Sequence, residues 1–141
     1  MSDRFFLDTN LLVYAYDVSA GSRHRQALAI IAQLSQSGTL VVSTQVLIEL
    51  AACLRRKVSK PLPVPDIQRI ILEVMDAWQI FVNQPESILA ALDLELRFQL
   101  SFWDALILQA AQSSSSNILY SEDFNHGQLY NGVRVVNPFQ V

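Results

Sequence analysis

Short uninterrupted apolar runs, each bounded by polar residues, fall at Arg4 to Leu7, Leu40 to Val42, Ile80 to Val82, Ile118 to Tyr120 and Val133 to Val136. Runs without alternation belong to strands buried on both faces. Between them the apolar spacing turns helical. Ala27, Leu28, Ile31 and Leu34 predict a helix from a Ser22 cap to a stop at Gly38. A second helix begins near Thr44, carries Val46, Leu47, Leu50, Ala51 and Leu54, and ends in the basic cluster Arg55, Arg56, Lys57 and Lys60. Pro61, Pro63 and Pro65 then predict an extended connector, because proline restricts its own backbone and that of the residue before it. Ile67, Ile70, Ile71, Val74 and Met75 form an amphipathic stripe whose face belongs to the core. Two more helices are expected, from Pro85 to about Phe98 and from near Ser101 to about Gln112, before a Ser113 to Ser116 loop. This β-α-β-α succession predicts a parallel sheet with helices on both faces and right-handed crossovers.

Composition narrows the class. With 141 residues, 51% of them apolar and 16% charged, the chain has the size of one globular domain, residues 1–141, able to build its own core. Four glycines and five prolines exclude collagen-like and extensively disordered chains. No apolar run is long enough to span a bilayer, and no secretory signal pattern opens the chain, so a soluble, cytoplasmic protein is expected. The single cysteine, Cys53, and the widely separated His24 and His126 give neither a disulfide framework nor a zinc spacing. A net charge of -3 argues against simple phosphate binding, which relies on Lys and Arg.

Ligands of such sheets sit beyond the carboxyl ends of the strands. The polar residues found there are acids. Asp8 follows Phe5-Phe6-Leu7, and Asp123 closely follows Ile118-Leu119-Tyr120. Glu49 interrupts an apolar stretch in the helix after the second strand, and Asp104 lies in the first turn of the helix opened by Ser101. Each also has a plain structural reading: Asp8 as a cap for Asn10 to Tyr14, Asp104 as part of a capping pattern with Ser101, Glu49 as a solvated side chain, Asp123 as a turn acid beside Asn125. Taken together they are expected at one sheet edge, where mutual repulsion calls for a compensating cation. All-oxygen donors without His or Cys suit magnesium or manganese. Asp93 and Glu95 are read instead as a solvated face, with Asp93 placed to pair with Arg97 four residues on. His126 is read as an exposed loop residue.

The segments Phe6 to Asn10, Ser43 to Glu49, Leu100 to Ile107 and Leu119 to Phe124, in this order, resemble the four signature regions of PIN domains, and the chain's size resembles VapC-type toxins of toxin-antitoxin pairs. The resemblance implies a three-layer α/β/α sandwich with strand order 3-2-1-4-5. It also implies a Mg2+- or Mn2+-dependent ribonuclease with site acids Asp8, Glu49, Asp104 and Asp123, supported by Thr9, Asn10 and Ser121. Homodimerisation and inhibition by an antitoxin segment entering the acidic groove are implied as well. The Pro61 to Pro65 stretch is where alignment to the family is hardest.

On this reading the acids hold the ion, with Asp8 and Asp104 as direct ligands, Asp123 sharing directly or through water, and Glu49 binding metal or orienting water. The substrate is RNA. Two divalent ions, adding four charges, would move the formal balance from -3 to +1, which weakens the charge objection. Arg55, Arg56, Lys57 and Lys60 then offer phosphate contacts, or simply complement the carboxyl end of their helix. A haloacid dehalogenase-type phosphatase needs an acid where Asn10 stands, and a receiver domain needs a lysine after a late strand, which the chain lacks. The alternative that survives is a non-catalytic PIN-like module acting through partner sequestration.

Overall fold

The computed structural model describes residues 3–140. Strand β1 (Asp3–Leu7) forms the middle of the sheet because Phe5, Phe6 and Leu7 are all buried, each side chain meeting a packed layer. Strand β2 (Gly38–Ser43) runs parallel to it, with Asp3 opposite Gly38 and Phe6 opposite Val41. Gly38 is required there: a Cβ at that position would run into the Asp3 carbonyl. Strand β3 (Gln79–Phe81) adds to β2, and β4 (Ile118–Tyr120) pairs with the other edge of β1, again in parallel.

Two further strands complete the order β3-β2-β1-β4-β6-β5. Strand β6 (Val133–Val136) runs parallel to β4, and β5 (Leu129–Tyr130) folds back antiparallel on β6. The expected order 3-2-1-4-5 is therefore seen with Val133–Val136 beside β4, and one short edge strand is added. Asn131 and Gly132 make the tight turn of this hairpin with φ of 49° and 91°. Asn-Gly tolerates two successive positive φ angles, so it favours a two-residue turn that matches strand twist.

Six helices connect the strands. Helices α1 (Thr9–Tyr16) and α2 (Ser22–Ser37) lie between β1 and β2, with a single 3-10 turn at Val18–Ala20. Helices α3 (Thr44–Arg56) and α4 (Val64–Ala77) lie between β2 and β3, and α5 (Pro85–Phe98) and α6 (Phe102–Ser113) between β3 and β4. Helix α1 packs on α2 and α3, and α3 on α4, while α5 packs on α6 and α6 on β2, β4 and β6. The two groups form the outer layers of an α/β/α sandwich. Every residue from Ala105 to Ala111 is buried, and the small Ala105, Ala110 and Ala111 let α6 sit close between α5 and the sheet.

Local expectations shift at three places. Ser22 is the first residue of α2 and makes no cap bond; Gly21 takes the cap position with φ 65°. Pro65 belongs to the first turn of α4, not to the connector, since a proline there loses only an N–H that would be unpaired anyway. In the α4 stripe Ile67, Ile70 and Val74 are buried, whereas Met75 is exposed, one position off the buried arc.

The chain passes from β1 to β2 and β3 on one side and returns to β4 on the other. The junction of β1 with β4 is thus the topological switch point, where diverging connections open a crevice at the strands' carboxyl ends.

Candidate active site

Asp8 leaves β1 at this crevice and is the N-cap of α1. Its backbone N–H donates to Tyr120 O at 3.0 Å, which extends the β1–β4 ladder by one bond. Its carboxylate is held from two sides: Thr9 N donates to Oδ1 and the Ser121 hydroxyl to Oδ2, both at 2.7 Å. Ser121 Oγ also accepts from Asp123 N at 3.1 Å, so one hydroxyl spaces two acids. Capping and site geometry coincide at Asp8, because a helix start supplies both the N–H donor and a favourable dipole.

Glu49 projects from the second turn of α3, whose start is fixed by Ser43 Oγ accepting from Val46 N. Thr9 Oγ1 donates to Glu49 Oε1 at 2.6 Å, and Gln45 Nε2 lies 3.5 Å from Oε2. Asp104 is brought up by α6, capped through Ser101 Oγ accepting from Asp104 N at 3.1 Å. Asp123 follows β4, and Asn10 Nδ2 reaches its Oδ2 at 3.5 Å. Thr9 therefore donates to two of the four acids, Asp8 and Glu49, and Asn10 and Ser121 to one each.

A cavity of about 260 Å3 opens among these groups, and its wall carries Asp8, Glu49, Asp104 and Asp123 with Thr9, Asn10 and Lys57. The electrostatics record the crowding. Burial pushes the Asp8 carboxyl up to about 7, with the Asp123 and Glu49 charges adding, against the opposing bonds from Ser121 and Thr9 N. Burial also raises Asp123, helped by the charges of Asp104, Glu122 and Glu49. Asp104 is raised by burial and by Glu49, while Ser101 opposes the shift. All three acids are uncomfortable as anions in the absence of a cation.

No three acidic, histidine or cysteine side chains among the described residues converge closely enough to cage an ion by themselves. The donor set nevertheless fits a hydrated hard ion: magnesium keeps several waters and takes only one or two carboxylates at a time.

Other candidates fall elsewhere. Of the basic cluster, only Lys57 lines the acidic cavity; Arg55 lines an apolar groove of about 680 Å3 between α3 and α4, and Arg56 and Lys60 are exposed outside both walls. The expected Asp93–Arg97 pair is not formed, and the Arg97 guanidinium lies over the Phe98 ring, 4.9 Å from its centre. His126 is exposed, and its Nδ1 accepts from Asn137 N at 2.9 Å. Gln45 was not foreseen. Its signal was a polar side chain four residues before Glu49, on the same helix face.

The PIN domain family model matches residues 5–131. No curated protein sequence matches significantly. Among solved structures, the chain is similar to VapC20 from Mycobacterium tuberculosis, a toxin that cleaves the sarcin-ricin loop, at 17% identity and a TM-score of 0.67 over 86% of this chain and 91% of that one. It is similar to VapBC2 from Rickettsia felis, bound to a promoter DNA fragment, at 18% identity and a TM-score of 0.65 over 94% and 96%. A toxin-antitoxin complex from Klebsiella pneumoniae gives 19% identity and a TM-score of 0.68 over 96% and 98%. At these identities the likeness is one of fold.

Proposed function

This chain belongs to the PIN domain family, and from that membership we propose that it is a single-domain, Mg2+- or Mn2+-dependent endoribonuclease, the toxin half of a toxin-antitoxin pair. The observation that carries the reading is the gathering of four acids from four separate elements into one cavity at the switch point, each held there by hydrogen bonds from polar neighbours or by a helix start.

Asp8, Asp104 and Asp123 are the residues that would hold the ion, directly or through its waters. When bound, the ion supplies an acidified water and positive charge for the phosphoryl and departing oxygens. Glu49, oriented by Thr9, is placed to take a proton from the attacking water or to share in ligation. Ser121 keeps the Asp8 carboxylate facing the cavity while spacing Asp123 from it. Lys57 on the cavity wall contributes a sequence-independent contact to the RNA backbone, with Arg55, Arg56 and Lys60 further along the path.

The structural neighbours include toxin-antitoxin complexes, which supports an antitoxin as the protein partner. The apolar groove between α3 and α4 adjoins the acidic cavity through Ala52, so an antitoxin segment lying in it would lead directly to the acids. An apolar surface bearing exposed Ile48, Ile88 and Trp103 supports self-association into a homodimer. Among the described residues no helix is long and apolar enough to cross a membrane, and the reading places the protein in the cytoplasm with its RNA.

A second reading draws on the lack of a ready-made ion cage: a non-catalytic PIN-like module that sequesters partners. RNA cleavage in Mg2+ or Mn2+, compared with chelator and with Asp104→Asn, decides between them. Metal-dependent cleavage lost in the variant supports the nuclease; RNA or partner binding with no turnover in either ion supports the module.

A further inference from the structure

We propose that Gln45 is a positioning residue of this site, an amide that sets Glu49 on α3 against Asp104 on α6; the proposal rests on the nuclease reading above. Gln45 lies in the first turn of α3 and is 7% exposed. Its Nε2 sits 3.2 Å from the backbone carbonyl of Trp103, the residue before Asp104, and 3.5 Å from Glu49 Oε2. The orientation of the amide follows from these partners, since turning it over would press its oxygen against two other oxygens.

The other half of the amide is the informative one. Gln45 Oε1 is buried and has no hydrogen-bond partner. A buried carbonyl left unpaired costs stability, so an apolar side chain of similar length would suit this position better on packing grounds alone. What the glutamine offers in return is the donor. Through it, Glu49 is restrained from one side by Gln45 and from the other by Thr9 Oγ1. The same nitrogen ties α3 to the first turn of α6, which is where Asp104 is carried. Gln45 also lines both the acidic cavity and the neighbouring apolar one, which places its amide on the wall they share.

The test is Gln45→Met in the full chain, which keeps length and removes both donor and acceptor. Three quantities are compared with the unaltered protein: Tm in chelator, Mn2+ affinity by titration calorimetry, and kcat and KM for cleavage of a single-stranded RNA. We expect an unchanged or higher Tm, Mn2+ affinity lower by about tenfold, as for losses of outer-shell partners in other metal sites, and a fall in kcat with KM for RNA unchanged. A stabilised protein that binds metal less well is the signature of a positioning role, because a mere strut would lower Tm and leave affinity alone. That opposite pattern overturns the proposal, as does affinity and kcat within twofold of the unaltered protein. If Gln45→Met does not fold, Gln45→Leu is read in the same way, and failure of both to fold assigns a structural role and overturns it. An unaltered protein that shows no metal-dependent cleavage overturns the nuclease reading, and this assignment with it.

Discussion

Ser121 donates to Asp8 Oδ2 at 2.7 Å across the junction of β4 with β1, joining two residues 113 positions apart in the chain. Both are buried. Removing the hydroxyl leaves a buried carboxylate oxygen without its donor, at a cost of about 1–3 kcal/mol. Ser121→Ala should therefore unfold at lower urea than the unaltered protein in chelator at pH 8, and its Asp8 should titrate higher still. Equal urea midpoints at that pH would count against this account of the Ser121 bond.

The raised carboxyl of Asp8 sets a pH dependence with a definite sign. Its ordinary value is 3.8 and its folded value about 7. Between these the folded protein keeps a proton that the unfolded chain has released, so stability falls as pH rises through the window and the loss is complete above about 7. At about 1.4 kcal/mol per pKa unit the loss is at most about 4 kcal/mol. Asp8→Asn keeps the shape and can still accept from Thr9 N and donate to Ser121 Oγ. In chelator it should show a flatter stability profile from pH 5 to 8 and exceed the unaltered protein at pH 8. Parallel profiles in urea titrations would refute this.

Metal should reverse that penalty. At a hundredfold excess over Kd a single bound ion adds about 2.7 kcal/mol, which for a chain of this size raises Tm by roughly 5–10 °C. Mn2+ should produce such a shift at pH 7.5 in the unaltered protein, chelator should remove it, and Asp104→Asn should lose most of it. Differential scanning fluorimetry across a Mn2+ series reads all three.

Thr9 Oγ1 makes the 2.6 Å bond to Glu49. Thr9→Val preserves the branched shape at a buried helix start and removes the donor alone. Cleavage should fall by about 10- to 100-fold, the usual scale for an outer partner of a metal site. Full activity in Thr9→Val would free Glu49 from its assigned dependence on this hydroxyl.

Lys57 and Lys60 separate a local phosphate contact from general basicity. Lys57 lines the acidic cavity and Lys60 does not. Lys57→Met should weaken RNA binding evenly across sequences and reduce the slope of log affinity against log salt by about 0.7, the value for one single-strand phosphate contact. Lys60→Met should leave the slope nearly unchanged. Filter binding at four salt concentrations distinguishes them.

Much of the architecture was legible because buried parallel strands carry their own signature. Phe5-Phe6-Leu7 and Leu40-Val41-Val42 are apolar without alternation since both sheet faces are covered, and the acids stand out where such runs stop. Helix starts were legible where a side chain caps the backbone, as Ser43 and Ser101 do, and not at Gly21, where conformation alone sets the boundary. The Asn131-Gly132 turn, on which the reading of strands from the sequence did not draw, marks the hairpin that adds β5, a strand too short for any periodicity to reveal. Gln45 was hidden for a different reason. Its burial and its bond to Trp103 depend on the approach of α6, some 58 positions away, and no local pattern encodes that contact. Lys57, by contrast, stands on the face of α3 that carries Glu49 and Cys53, at a spacing of four residues each, and Lys60 lies beyond the end of that helix.

The pairing of β1 with β4 has a consequence for how the protein is made. Ser121 and Asp123 are translated more than a hundred residues after Asp8, and the crevice exists only once β4 has docked. A growing or prematurely terminated polypeptide thus lacks the assembled cleft.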